Sequence, residues 1–219
     1  MLIKWIKCTV LEKNKTAFAK AQEGWENVKY AEGFLGQFGG WDRKNPLEAG
    51  ILAFWRDSAS YQYFMDHLHD ELFAGSNQEV TYSTISVSTF EKLSNLTSTD
   101  LTKLFHTGEV IRVADCLVES GEQTNFEKAQ HDVWNKGMEE ASGMLAGVFC
   151  HSSSNSEAYL VASIWKDHQS HDDYVAKSLP LLKKQSHVKR TTKQVTGNII
   201  DINPRWTIIP ANREKPFSS

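Results

Sequence analysis

Cysteine is scarce in this chain: three of its 219 residues are cysteines, at positions 8, 116 and 150. The number is odd, and the spacing matches neither a zinc-binding motif nor a redox motif. The sequence therefore predicts no disulfide framework and no metal site, and a reducing cytoplasm is the expected location. Cys8 and Cys116 occupy equivalent places in two similar segments, which indicates packing within a strand.

The chain also lacks long apolar runs and a strong excess of charge of one sign. No apolar run approaches the roughly 18 residues that cross a bilayer, and residues 1–6 are too short and too interrupted by lysine for a secretory signal. The formal net charge is −3 with acids and bases mixed, so we expect no nucleic-acid partner and no membrane partner. One basic cluster, Lys183–Lys184 with Lys189–Arg190, is typical of a solvated helix end.

Aromatic residues, by contrast, are plentiful. Seven tryptophans and eleven phenylalanines supply either bulky core material or the walls of an apolar pocket. The sequence contains no phosphate-binding loop, nucleophile elbow or catalytic triad pattern. An aromatic pocket is therefore the kind of site that the composition favours.

Two parts of the chain repeat each other. The segment Ile3–Val10 recurs as Ile111–Val118, and Trp55-Arg56-Asp57 recurs as Trp165-Lys166-Asp167. Copies of about 90–100 residues have the size of a small domain. Two copies in one chain predict a built-in dimer, in which each copy covers the other.

The repeat sets the expected domain organisation. We predict a first repeat over residues 1–90, a linker over 91–109, a second repeat over 110–202 and a C-terminal extension over 203–219. Ser98-Thr99-Asp100 is a candidate cap for one short helix in the linker, which would run through Phe105. Trp206 predicts that part of the extension packs, and residues from Arg213 to Ser219 are expected to fray.

Each copy has the order strand, helix, strand, strand, helix, strand. The expected strands are 2–11, 34–41, 50–55 and 80–90, then 110–118, 144–150, 159–165 and 194–202, and the first of them is apolar on both faces. The expected helices are 14–31, one that begins near Asp57, 124–141 and 167–179, the last of which Pro180 should end or kink.

These elements define an α+β fold. A β-α-β-β-α-β unit is the ferredoxin-like arrangement, an antiparallel sheet with both helices on one face. The strands that are apolar on both faces require a cover for the other face. We therefore predict two tandem ferredoxin-like repeats packed sheet to sheet as an intrachain pseudo-dimeric α+β barrel.

Two motifs carry a resemblance to a known family. The Gly-Phe-Leu-Gly opening of the second strand and the strand end Phe54-Trp55-Arg56-Asp57 resemble the dimeric α+β barrel superfamily. Within it, the chain is similar to antibiotic-biosynthesis-monooxygenase-like domains and to a tandem version of uncharacterised YdbC-like bacterial proteins. The resemblance implies pockets between the helices and the sheet of each unit. It also implies one of three functions, because the family includes cofactor-free oxygenases of aromatic polyketides and quinols, haem-degrading oxygenases, and proteins with no known catalytic role.

The haem-degrading pattern is the one from which this sequence departs. Such proteins carry an asparagine on the first strand, a tryptophan on the second helix and a histidine near the end of that helix. Here Lys7 and Asp115 stand on the first strands, and Phe64 and Tyr174 stand on the helices. The expected histidine falls near Ala74 and Lys184.

The first repeat has the richer set of candidate site residues. Trp5 and Tyr82 have the non-aromatic counterparts Val113 and Thr192 in the second copy. In this interpretation the catalytic base is His67 or His69. Aromatic walls come from Trp5, Trp55 and Phe64, and Tyr82 is the polar anchor. The alternatives are solvated helix histidines, core tryptophans and a tyrosine on a strand that faces water. His168, His171 and Asp172 share a helix face, which leaves a divalent metal as a further alternative.

Three functions follow from these observations. The first is a cofactor-free oxygenase of an aromatic or quinol-type substrate, with no cofactor expected. The alternative is a non-catalytic ligand-binding or stress-related barrel protein, and the third is haem binding or degradation. The expected partner is a small apolar or aromatic molecule, and further homodimerisation of the pseudo-dimer is left open.

Overall fold

The computed structural model describes residues 1–211, in which eight strands form one closed barrel. The strands are β1 (Leu2–Thr9), β2 (Phe34–Asp42), β3 (Glu48–Trp55), β4 (Thr84–Asn95), β5 (Val110–Val118), β6 (Met144–Ser152), β7 (Ala158–Trp165) and β8 (Thr192–Ile202). Around the barrel they follow the order β1-β3-β2-β8-β5-β7-β6-β4, and neighbouring strands are antiparallel.

Eight α-helices within residues 1–211 cover the outer face of the sheet. They are α1 (Lys15–Glu23), α2 (Ser58–His67), α3 (His69–Ser76), α4 (Gln123–Ala129), α5 (Lys136–Glu139), α6 (His168–Lys177), α7 (Leu179–Gln185) and α8 (Val188–Thr191). The expected break at Pro180 is confirmed, because this residue lies in the first turn of α7, where its missing amide costs no helical hydrogen bond. Within residues 1–211, none of the helices has the length and apolar character needed to cross a bilayer.

Two seams join the repeats into the barrel. β4 pairs with β1 through its first part and with β6 through residues 90–95. β8 pairs with β5 along its length and with β2 near its end. The predicted intrachain pseudo-dimeric barrel is thereby confirmed, and the long last strand of each repeat closes it by covering an edge of the other repeat.

The barrel interior forms one core that both repeats share. Side chains alternate between this interior and the helix layer along each strand. Ile3, Phe54, Ile111 and Ile164 all point inward and are at most 1% exposed. At about 25 cal/mol per Å² of apolar surface, exposing this core in an isolated repeat would cost many kcal/mol.

The linker contributes to that core. Asp100 accepts a hydrogen bond from the Thr102 amide at 2.9 Å and caps a short 3₁₀ turn, at the place where a short helix was predicted. The Phe105 ring then stacks on Phe38 at 4.5 Å between centroids. Gly36, with φ of +132°, makes room for it, because a Cβ at this position would collide with the ring.

Two expected boundaries change in the structure. The last strand of the first repeat begins at Thr84 rather than at residue 80, and it continues to Asn95 because residues 90–95 pair with β6. Tyr82 therefore precedes the strand instead of lying within it. Trp206 is fully buried, as the sequence predicts, and donates its indole N–H to the Ala19 carbonyl at 3.2 Å. The predicted fraying of Arg213 to Ser219 lies outside the described residues.

Candidate functional site

A cavity of about 390 Å³ lies between the sheet and the helices of the first repeat. Alternate residues of β1, namely Lys4, Ile6 and Cys8, form part of its floor. Aromatic rings form a large part of its wall, and they belong to Trp25, Phe34, Trp55, Tyr61, Phe64, His69, Phe73 and Tyr82. This first cavity has the size and lining of a small-molecule site.

The aromatic rings hold one another in place. The Trp55 ring lies 4.8 Å from Phe64 and 5.3 Å from Phe34, centroid to centroid. At the other side of the cavity, Trp25 lies 5.6 Å from His69. Ring pairs at these separations attract each other beyond simple burial, so the walls have a fixed shape.

The Trp55 indole is a donor without an acceptor. Its side chain is 2% exposed, and its Nε1 has no hydrogen-bond partner within the described part of the chain. In the second repeat, the equivalent Trp165 donates to the Ser163 hydroxyl at 3.0 Å. Ala53 stands where that serine would be, and it also lines the first cavity. A buried N–H without a partner costs stability, and a ligand oxygen would satisfy it.

Lys4 brings a positive charge to the same cavity. Its side chain is buried, and burial alone lowers its pKa to about 8. The ammonium lies 5.2 Å from the centroid of the Tyr61 ring, which is a cation–π contact. Among residues 1–211 it forms no ion pair with a carboxylate. Lys4 is therefore protonated at neutral pH and available to an anionic oxygen.

A glutamine pair fixes one edge of the cavity. Trp25 donates its indole N–H to Gln78 at 2.8 Å, and Gln78 donates to Gln22 at 2.8 Å. Gln22 and Gln78 are both buried. The chain of bonds joins α1 to the segment after α3 and keeps this polar edge in one orientation.

His69 is the candidate base that lies at the cavity. Its Nδ1 is 2.9 Å from an Asp70 carboxylate oxygen, and its ring stacks on Phe73 at 5.8 Å. If Nδ1 donates to this carboxylate, Nε2 is the acceptor, which is the arrangement that a general base requires. His69 is 20% exposed, so a proton can leave to solvent.

His67 is not brought to the cavity. Its side chain is exposed, its Nδ1 lies 2.9 Å from the Tyr63 carbonyl, and its ring stacks on Tyr63. Helix α2 ends at His67 and α3 begins at His69, so the chain bends at Leu68. Residues two positions apart on a helix do not share a face, so His69 lies at the cavity while His67 is exposed.

Trp5 is also placed away from the cavity. It is 3% exposed and points into the barrel interior, where its indole donates to Asp115 at 3.2 Å. Lys7 lies 3.5 Å from the same carboxylate. Burial raises the pKa of Asp115, and Lys7 and Trp5 oppose that shift. The alternation along β1 that brings Lys4 to the cavity sends Trp5 to the other face.

Tyr82 and Cys8 lie together at one end of the cavity. Burial raises the pKa of Tyr82, and the nearby Cys8 adds to the shift. Burial also raises the pKa of Cys8 to about 12, so this cysteine remains a thiol at neutral pH. The structure thus brings four of the predicted site residues together: His69, Trp55, Phe64 and Tyr82. The pattern of the sequence did not single out Lys4, which is one of two lysines in a largely apolar strand.

The alternative metal site in the second repeat does not assemble. His171 is 1% exposed and lies against Trp165, whereas His168 and Asp172 contact Arg43 of the first repeat. Within residues 1–211, no group of three histidine, cysteine or acidic side chains has a metal-binding arrangement.

Residues 2–90, which span the first repeat, match the family model of a domain of unknown function, DUF4937. The uncharacterised protein YdbC of Bacillus subtilis strain 168 is 37% identical over 94 residues, which are 42% of this chain and 79% of that protein. The predicted similarity to YdbC-like proteins is thus confirmed.

Solved structures share the fold over almost the whole chain. A candidate monooxygenase from Lactobacillus acidophilus NCFM matches with a TM-score of 0.71 at 13% identity, over 96% of both chains. An anthrone oxidase-like protein matches with a TM-score of 0.69 at 12% identity, over 92% of this chain and 91% of that one. Identities this low show a shared fold, and the chemistry has to be argued from the residues of the site.

Proposed function

The chain belongs to the YdbC-like family with the DUF4937 domain, and from this premise we propose that its first cavity binds a planar aromatic molecule of the quinol or anthrone type and supports its oxygenation by O₂. The observation that carries the proposal is the presence of two donors in one cavity lined by aromatic rings, namely the Trp55 indole N–H, which has no acceptor within residues 1–211, and the Lys4 ammonium, which has no carboxylate partner there. Flat aromatic walls favour a flat ring system, and the two donors favour an oxygen on it.

The chemistry would begin with removal of a proton. His69, with Nδ1 held by Asp70, accepts a proton at Nε2 from an acidic C–H of the substrate. The negative charge then develops on the substrate oxygen, where Lys4 and the Trp55 N–H stabilise it in a site with little water.

The remaining steps need no cofactor. The substrate carbanion passes one electron to O₂, the two radicals combine to a hydroperoxide, and loss of water leaves a ketone. Across the sequence a CH₂ group and O₂ become a C=O group and water, so atoms and electrons balance without a reductant. The residues of the site therefore have to supply only positioning, charge stabilisation and proton transfer.

The test uses a panel of anthrones and quinols, with binding followed by thermal stabilisation and turnover by oxygen consumption. We expect Lys4→Met and His69→Ala each to lower kcat by about 10²-fold or more, the usual effect of losing one charge-stabilising or proton-transfer group. Trp55→Phe should mainly weaken binding. His67→Ala is the matched control, because His67 lies outside the cavity, and it should change neither quantity by more than about twofold.

The outcomes separate the three candidate functions. Unchanged turnover in Lys4→Met and His69→Ala would show that the site is elsewhere. Saturable binding without oxygen consumption would leave the non-catalytic ligand-binding function. A haemin titration addresses the third, since a one-to-one shift of the Soret band followed by reductant-driven bleaching would favour haem degradation.

A further inference from the structure

The second repeat has a cavity of its own, of about 490 Å³, between β5 and the helices α4, α5, α7 and α8. It occupies the place that the first cavity has in the first repeat. Arg112 and Cys116 line it from β5, as Lys4 and Cys8 line the first cavity from β1. The two cavities can therefore be compared position by position.

The lining of this second cavity is strongly cationic. Arg112 lies at its floor, and Lys183, Lys189 and Lys193 surround its mouth, while no carboxylate belongs to its lining within the described part of the chain. The equivalent places around the first cavity hold one lysine and three uncharged or acidic residues, namely Lys4, Phe73, Glu79 and Ser83. The basic cluster of the sequence thus forms the mouth of a cavity, in addition to being a solvated helix end.

Arg112 carries the strongest signal for a ligand. Its side chain is half-buried, and among residues 1–211 it forms neither a hydrogen bond nor an ion pair. A guanidinium has five N–H donors, and those of Arg112 are left for a ligand because no protein group in the described part of the chain uses them. By contrast, Lys193 at the mouth has a partner, Glu157 at 2.6 Å. The unused charge at the floor therefore calls for an anion inside the cavity.

The rest of the lining is apolar. Phe126, Trp134, Met138 and Val161 form the wall next to Arg112. Such a wall suits a hydrocarbon or an aromatic body and does not suit a fully hydrated ion such as free phosphate. The ligand has to combine an apolar body with an anionic head.

We propose that the second cavity binds an apolar organic carboxylate, with the carboxylate on Arg112 and the apolar body against Phe126 and Trp134. A guanidinium matches a carboxylate with two parallel hydrogen bonds, and the lysines at the mouth add attraction from outside. This site is separate from the first cavity in position and in the charge of its ligand. Its existence does not depend on the proposed oxygenation.

The test is a calorimetric titration of the full chain with decanoate, compared with decanol as the uncharged probe of equal length. Wild-type protein should bind one decanoate in this cavity, and decanol should bind at least about tenfold more weakly. Arg112→Met should weaken decanoate binding at least about tenfold, a loss expected when a charged hydrogen-bond partner is removed. Lys166→Met removes an exposed lysine outside the cavity and is the matched control for net charge.

Two further measurements keep the proposal open to failure. The double variant Lys183→Glu/Lys189→Glu changes only exposed residues, so it should fold and should also weaken decanoate binding. Decanoate should change the tryptophan fluorescence of the wild-type chain, and this change should be lost in Trp134→Phe while decanoate still binds by calorimetry. Equal binding of decanol and decanoate would overturn the proposal, as would unchanged affinity in Arg112→Met or the double variant. Loss of decanoate binding in Lys4→Met would also overturn it, because that result would place the ligand in the first cavity.

Discussion

The two cavities lie in equivalent places, yet their linings have diverged in opposite directions. The first is aromatic and contains one buried lysine, and the second has an arginine at its floor and lysines at its mouth. Even the shared strand tryptophan differs, because Trp165 has Ser163 as its acceptor and Trp55 has none. The barrel core depends on the inward-facing side chains, so the residues that face the helices are free to change without loss of the fold.

Both repeats have kept the residues that fix the start of the helix after the third strand, which is α2 in the first repeat and α6 in the second. Asp57 accepts from the Ser60 amide at 2.7 Å, and Asp167 accepts from the Ser170 amide at 2.8 Å. The serines lie against Gly33 and Gly143, which have φ of +77° and +81° and where a Cβ would collide with the serine side chain. This close approach leaves little room for substitution in either repeat.

Substitutions at the two seams of the barrel should differ most in their effect on the free energy of unfolding. Asp42 at the β2–β8 seam is 2% exposed and accepts hydrogen bonds from Asn198 at 2.7 Å and from the amides of Lys44, Asn45 and Ile199. Asp42→Ala leaves the three amides without this acceptor, whereas Asn198 keeps Glu48 at 2.8 Å, and the loss should cost about 3 kcal/mol or more of unfolding free energy. Denaturant unfolding measures the loss.

The matched control is Ser152→Ala, which changes the equivalent residue at the β4–β6 seam. Ser152 has only a 3.3 Å bond from the Ser154 amide and a 3.4 Å contact with its hydroxyl, so its loss should cost about 1 kcal/mol or less. Equal effects of the two substitutions would show that the Asp42 network does not determine the strength of its seam.

The cations at the floors of the two cavities should respond differently to pH. The pKa of Lys4 is about 8 in the folded chain against an ordinary 10.5, because burial disfavours its charge. Between these values the unfolded chain binds more protons, so stability should rise with pH from about 8 to about 10.5. Lys4→Met removes the cost of burying the charge, which is on the order of 3 kcal/mol below pH 8.

Thermal unfolding of the two variants at several pH values checks this prediction. The stability gained by Lys4→Met should be greatest near pH 7 and should shrink as pH rises through the window. The change caused by Arg112→Met should stay constant, because an arginine keeps its charge throughout. A gain from Lys4→Met that is independent of pH would mean that Lys4 is better solvated than its position indicates.

The sequence predicted the barrel because its two levels of pattern agree. The repeat shows that each copy has a partner, and strands with two apolar faces show that each sheet is covered on both sides. The same feature explains the misplaced Trp5. When Ile3 and Trp5 on one face are as apolar as Ile6 and Cys8 on the other, the pattern does not reveal which face meets the helices.

The cavity linings were harder to predict because they join distant segments. His67 and His69 are two positions apart and cannot share a helix face, and the sequence left open which of them meets the cavity. The second cavity brings Arg112 of β5 next to lysines of α7, α8 and β8, which are about seventy or more positions away. Only the closed packing of helices on the sheet makes one site of them.

Exchange of a single hydroxyl between equivalent positions of the two repeats gives the smallest expected effect and the most direct comparison. Ser163→Ala should leave the buried Trp165 indole without its acceptor and destabilise the chain by about 1–2 kcal/mol, as a lost buried hydrogen bond does.

The reciprocal change, Ala53→Ser, places a hydroxyl beside Trp55 in the geometry that Ser163 has beside Trp165. Stability should change by less than about 1 kcal/mol, because the new bond offsets the cost of burying a hydroxyl. If the free Trp55 N–H is there to bind a ligand oxygen, Ala53→Ser should weaken binding of the aromatic probe to the first cavity, since the serine now occupies the donor. Unfolding curves and probe titrations of both variants make the comparison. Unchanged affinity in Ala53→Ser would mean that the indole contributes only its ring to the wall, and that the missing serine is a neutral difference between the repeats.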